Sequence, residues 1–150
     1  MLCGQWKSES RDQTDTGEIS MATSKNTTVP EPLKHALTEK AEQLLQDKFR
    51  PGLSIQAEAT KEHGFNYAVE VYTTWRGKYF YFCAKYRNPR ENATQEYFEL
   101  RTTRMEYVGG WRFNLAYMRH TGRWCEVYPA LSWEECLETI KQEELFWPVN

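Results

Sequence analysis

Residues 111–128 read WRFNLAYMRHTGRWCEVY. Apolar and polar residues alternate there at period two, break at Thr121-Gly122, and alternate again. That period puts successive side chains on opposite faces of a strand, and a Gly-containing pair between two such runs marks a hairpin. The stretch therefore predicts antiparallel sheet. A two-residue turn at Thr121-Gly122 pairs Arg119 with Trp124, Tyr117 with Glu126 and Leu115 with Tyr128.

Reading toward the N-terminus, Gln95–Tyr107 meets Trp111–His120 across Val108-Gly109-Gly110. A three-residue loop pairs Tyr107 with Trp111, Met105 with Phe113, Glu99 with Arg119 and Glu106 with Arg112. A two-residue loop sets Arg104 against Leu115. The first register matches apolar with apolar and charge with opposite charge, so it is preferred. Gly110 then takes a left-handed position. Asn66–Trp75 and Lys78–Tyr86 flank Arg76-Gly77, a hairpin that pairs Val71 with Phe82 and Thr73 with Phe80. Leu53–Lys61 alternates weakly and reads as a sixth strand.

Two helices bracket these strands. In 30–49, Leu33, Ala36, Leu37, Ala41, Leu44 and Leu45 make one apolar stripe, opened by Pro30 and Pro32 and stopped by Pro51-Gly52. In 133–143, Trp133, Cys136, Leu137 and Ile140 repeat at helical spacing, with Ser132 as N-cap and Glu135 closing a capping box. The tail Leu145-Phe146-Trp147-Pro148 is apolar enough to dock on the sheet. Residues 1–29, rich in Ser, Thr, Gln and Asp, read as a disordered leader. The expected architecture is α+β: a single domain over 30–150, with a six-stranded antiparallel meander sheet and an N-terminal and a C-terminal helix packed on it.

Composition narrows the function classes. The net charge of -2 argues against whole-molecule attraction to nucleic acid or anionic lipid. The charge is uneven, however. Residues 76–123 hold ten Lys/Arg against four Asp/Glu, whereas residues 124–150 hold six Glu and one Lys. A basic sheet thus precedes an acidic helix. The four cysteines form no CxxC and only three His exist, so zinc spacing is absent and no metal or other cofactor is expected. Cys83, Cys125 and Cys136 read as buried small hydrophobes. No apolar run suits a signal peptide or a bilayer crossing, which makes the cytoplasm the expected location and a membrane partner unexpected.

The register predicts one candidate site. Glu99, Arg101, Tyr117, Arg119, Trp124 and Glu126 gather on one face with Tyr97, beside a core half of Met105, Tyr107, Trp111, Phe113, Leu115 and Tyr128. Arg119 can stack on Trp124. As plain structure, Arg119 bridges Glu99 and Arg101 bridges Glu126. As a site, the patch suits a polar or anionic ligand. Catalysis fits it less well, because two guanidiniums depress a carboxylate's pKa and so spoil a general base. No nucleophile elbow, P-loop or dinucleotide fingerprint occurs. Tyr72, Tyr79 and Tyr81 could face outward near Lys78 and Lys85, as in sheets that stack nucleic-acid bases.

Trp111, Phe113, Leu115, Tyr117, Arg119, Gly122, Trp124, Glu126 and Tyr128, followed by an acidic helix and Phe146-Trp147, resemble a family of short bacterial proteins known only as a domain of unknown function. Its hairpin has the form W-x-L-x-Y-x-R-x-x-G-x-W-x-x-Y. The likeness covers about residues 95–148, with weaker similarity in the first helix, and departs from the family spacing before Leu115. It implies a domain type and no activity.

The expected function is that of a non-catalytic binding or accessory module whose basic-aromatic sheet face holds an acidic protein or small anion. The alternative is a nucleic-acid-binding module, and the third reading is a small hydrolase. A homodimer is a further expectation, because the tyrosines and Trp147 leave apolar area to cover.

Overall fold

Pro30 holds an extended backbone (φ -60°, ψ 138°) and releases the chain into α1 (Glu31–Leu44). Pro32 falls in the first turn, where a missing N–H loses no helical bond. The computed structural model describes residues 28–149; the leader expected over 1–29 lies outside them, apart from its last two positions. Leu33, Leu37, Ala41, Leu45 and Phe49 form a buried line. A step of four overshoots a helical turn of about 3.6 residues, so such a line drifts around an α-helix. From Leu45–Phe49 the helix takes π form, and its longer i→i+5 repeat absorbs the drift and keeps Phe49 over the core.

Pro51-Gly52 does not end this helical region. Arg50–Gly52 make a 3-10 turn and the chain continues into α2 (Leu53–Lys61), where a strand was the sequence expectation. Of the alternating Leu53, Ile55, Ala57 and Ala59, only Leu53 packs against the core; Ile55 is 72% exposed. With no alternating burial to reward a period of two, the Gln, Glu, Ala and Lys of this stretch follow their helical preference.

The sheet accordingly has five strands, not six: β1 (Tyr67–Arg76), β2 (Tyr79–Arg87), β3 (Tyr97–Tyr107), β4 (Arg112–Met118) and β5 (Trp124–Ser132), antiparallel and in chain order. The fold is α+β. The β1–β2 turn is Gly77-Lys78, one residue later than expected, with Gly77 at φ 60°. Val71 therefore faces Ala84 and Thr73 faces Phe82. A shift of two leaves every side chain on its expected face.

The β3–β4 loop also slides by one. The Val108 N–H donates to the Arg112 carbonyl across Gly109, Gly110 and Trp111, whose φ values are 90°, 61° and 60°. Met105 faces Leu115 and Tyr107 faces Phe113. Trp111, expected in the core, stands in the turn and is 46% exposed.

Between β4 and β5 the faces do change. The loop is His120–Gly122, closed by the Arg119 N–H on the Arg123 carbonyl. Leu115 faces Tyr128 as expected, but Ala116 faces Glu126, Tyr117 faces Cys125 and Met118 faces Trp124. Val127 is the surplus residue, a bulge that reverses the facing of every residue between it and the loop. A second bulge at Pro129-Ala130 puts Ala130 at φ 51° and sends its N–H to Asn114 Oδ1 at 2.9 Å.

The core lies on the inner face. Val71, Phe80, Phe82, Met105, Phe113 and Leu115 meet the α1 stripe and Cys136 and Ile140 of α3 (Trp133–Gln142). The capping box of α3 forms in both directions, Glu135 N–H to Ser132 Oγ (3.1 Å) and Ser132 N–H to Glu135 Oε1 (2.8 Å). The apolar tail docks as expected. Phe146 is fully buried, edge-on to Tyr117 (centroids 6.1 Å), and Thr103 Oγ1 donates to its carbonyl at 2.6 Å. At the β1 edge Arg50, paired with Glu42, donates to the Val71 carbonyl at 3.0 Å, which blunts an open strand edge.

Candidate functional site

The outer face of the sheet carries a ladder of cations and rings. Arg104 is set there by alternation with the buried Met105. Its guanidinium lies 4.8 Å from the Trp124 ring and 5.2 Å from the Tyr79 ring. Arg101 lies 4.9 Å from the Tyr81 ring, and Tyr81 contacts Trp124 with centroids 5.7 Å apart. Glu126 comes within 3.7 Å of Arg104, and both side chains are only 14% exposed. Ala116, wholly buried, faces Arg104 on the neighbouring strand and leaves room for its stem. Arg104 Nε is buried and finds no hydrogen-bond partner among the described residues. At the end of the ladder Lys78 pairs with Glu106 at 3.0 Å. Burial pulls the Lys78 ammonium down, but the hydrogen bond and charge of Glu106 outweigh it and raise its pKa.

Beside the ladder runs an open groove of about 620 Å³, with Arg76 and Arg101 among its lining residues and Cys83 at its floor. This volume falls within the roughly 300–1,000 Å³ of small-molecule sites. Burial pushes the Cys83 thiol up to about 11, against the pull of Arg101. The floor is therefore neutral at physiological pH. Tyr72 donates its hydroxyl to Glu99, which satisfies that carboxylate. Arg76 and Arg101 are both exposed. Neither has a carboxylate within 4.0 Å among the described residues.

Of the residues expected to share a patch, Glu99, Arg101, Trp124 and Glu126 do lie on this one face. Tyr117 does not: it faces inward onto Phe146. Arg119 lies past the end of β4, and the alternation that turns Met118 outward turns Arg119 away from Trp124. The cation over Trp124 is Arg104, not Arg119. The expected bridges change with it, since Glu126 pairs with Arg104 rather than Arg101 and Glu99 takes the Tyr72 hydroxyl rather than Arg119. Tyr97, also expected in the patch, lies under Lys85 Nζ at 5.0 Å. Tyr72, Tyr79 and Tyr81 share the outer strand positions, as expected. Sequence reasoning missed Arg76 and Arg104. Arg104 alternates with Met105, and that parity was its available signal.

The description "Domain of unknown function (DUF3024)" matches residues 29–148, nearly the whole of the described fold. The chain belongs to this family. No curated protein and no solved structure matches it. Membership thus assigns the DUF3024 domain as the folded unit just described and leaves its chemistry to the site. Among the described residues, no helix is long and apolar enough to cross a membrane.

Proposed function

We propose that the chain is a non-catalytic binding module that holds an acidic partner or small anion on the outer sheet face. The observation that carries this reading is the pair of exposed guanidiniums, Arg76 and Arg101, lining one groove without a carboxylate partner among the described residues. A guanidinium offers planar paired donors that match carboxylate or phosphate oxygens. Ion pairing already absorbs the neighbouring cations Lys78 and Arg104, so the two groove arginines are the donors left for a ligand. Glu99, Trp124 and Glu126 serve this reading as supports of the wall.

The rings favour an anion over a base. Tyr81 is buried, and Tyr79 and Trp124 already hold a guanidinium, so they offer no open stacking platform. The test is a chemical-shift titration of the full chain with oligoglutamate, pyrophosphate and single-stranded DNA. Oligoglutamate or pyrophosphate should move the Cys83 and Arg101 amides, and Arg101→Gln should abolish the movement. DNA binding that weakens steeply with salt and ignores Arg101→Gln would favour the nucleic-acid alternative. No movement with any of the three overturns the binding reading.

A further inference from the structure

We infer that Tyr72 is a positioning residue for the groove: its hydroxyl occupies Glu99 and so keeps Arg101 free for an external anion. This role rests on the anion-binding reading above and adds what prevents the groove from pairing with itself. Strand pairing sets two adjacent rows on the outer face. Tyr72 of β1, Cys83 of β2 and Arg101 of β3 form one row; Glu70, Lys85 and Glu99 form the next. Glu99 and Arg101 therefore stand on the same face of β3, two residues and about 7 Å apart. That spacing lets a carboxylate reach a guanidinium, yet the two make no ion pair within 4.0 Å.

Two contacts keep them apart. Tyr81 belongs to the row on the other side of Arg101 from Glu99, and its ring, 4.9 Å from the guanidinium, draws that group away. Tyr72 reaches diagonally over the short Cys83 side chain and donates its hydroxyl to Glu99. A hydrogen bond to a charged carboxylate stabilises more than an exposed ion pair, so the tyrosine holds Glu99 against the pull of Arg101. Lys85, the direct cross-strand neighbour of Glu99, lies 5.0 Å from the Tyr97 ring and also faces Glu70. Without the hydroxyl, Glu99 becomes a tethered anion beside Arg101, whose planar paired donors suit a carboxylate better than an ammonium does. It then competes with any free anion for the same guanidinium.

The test titrates the full chain with oligoglutamate and pyrophosphate, and reads the Arg101 side-chain Nε–H resonance before any anion is added. Tyr72→Phe, which removes one oxygen and keeps the ring, should shift that resonance. It should weaken both anions about two- to fivefold, the range an exposed ion pair sets. Adding Glu99→Gln to Tyr72→Phe should return the resonance and recover the affinity. A tyrosine that only built the wall, or that touched the anion itself, would give no such recovery. Unchanged affinity in Tyr72→Phe, as when Lys85 captures the released Glu99, overturns the inference. So does a loss that the double variant leaves in place. If the unmodified protein still binds through Arg101 in either case, the broader reading stands; if it binds neither anion, both fall. Unfolding midpoints of the variants, measured alongside, separate lost binding from lost fold.

Discussion

Arg104 and Trp124, on strands that are not neighbours, stack across the outer face with the guanidinium 4.8 Å from the indole ring. β4 lies between them: its fully buried Ala116 pairs with Arg104 on one side and Glu126 on the other, small enough to let the Arg104 side chain cross toward Trp124, which pairs with Met118. A larger residue at 116 would part them.

Arg104→Ala should therefore destabilise the fold well beyond a typical surface change. It removes a mostly buried ion pair and two ring contacts, and breaking such pairs costs about 3–5 kcal/mol when both partners are fully buried. At 14% exposure we expect about 2–3 kcal/mol by urea unfolding, with part of the loss restored in Arg104→Lys. A change under about 0.5 kcal/mol would class the ladder with ordinary surface pairs.

Thr103→Val tests the tail. Thr103 is fully buried and its hydroxyl holds the Phe146 carbonyl at 2.6 Å. The isosteric change leaves that carbonyl unpaired, for an expected cost of about 1–3 kcal/mol. Trp147, which packs on Phe49 at 5.9 Å, should report the loosened tail through a red-shifted emission. Unchanged emission together with unchanged stability would refute the latch.

Trp111 distinguishes two registers. A core tryptophan replaced by a small residue loses about 3–5 kcal/mol. At φ 60° and 46% exposed, Trp111 instead sits in backbone that costs a bulky residue about 1 kcal/mol. Trp111→Asn should be neutral or stabilising by up to about that amount, measured as a rise in the thermal midpoint.

The α3 cap carries a pH signature. Ser132→Ala should cost about 1 kcal/mol, the usual value of a lost N-cap. Hydrogen bonds from the Ser132 backbone and side chain hold the Glu135 carboxyl below its ordinary pKa, assisted by Arg112. A group depressed in the folded state stabilises above its unfolded pKa, and the effect is lost as pH falls through the folded value. Stability should thus decline on the acid side of the ordinary glutamate range, and Glu135→Gln should flatten that part of the curve. An unchanged acid limb in Glu135→Gln would show that the box contributes no pH dependence.

The fold was legible wherever one residue type repeats against one core. The α1 stripe, the Ser132–Glu135 box, the β4 alternation and the docking of Phe146 all follow from local period and composition. Leu53–Lys61 was misread because burial does not follow its alternation: Leu53 packs against the core while Ile55 stays exposed. The candidate site was legible only in part. Arg101, Trp124, Glu99 and Glu126 share the outer face, because the β2–β3 register shift and the Val127 bulge turned them there, whereas Tyr117 and Arg119 kept the β4 alternation with Leu115 and stayed off it.

Alternation and capping chemistry are properties of neighbouring residues, so the chain by itself determined that it forms an antiparallel sheet with a helix at either end. Which cation meets which ring was decided by the tertiary structure. A one-residue bulge such as that at Val127 shifts the register between strands, and no local period records it. That bulge turned Trp124 outward, where it meets Arg104 of a strand two positions away in the sheet.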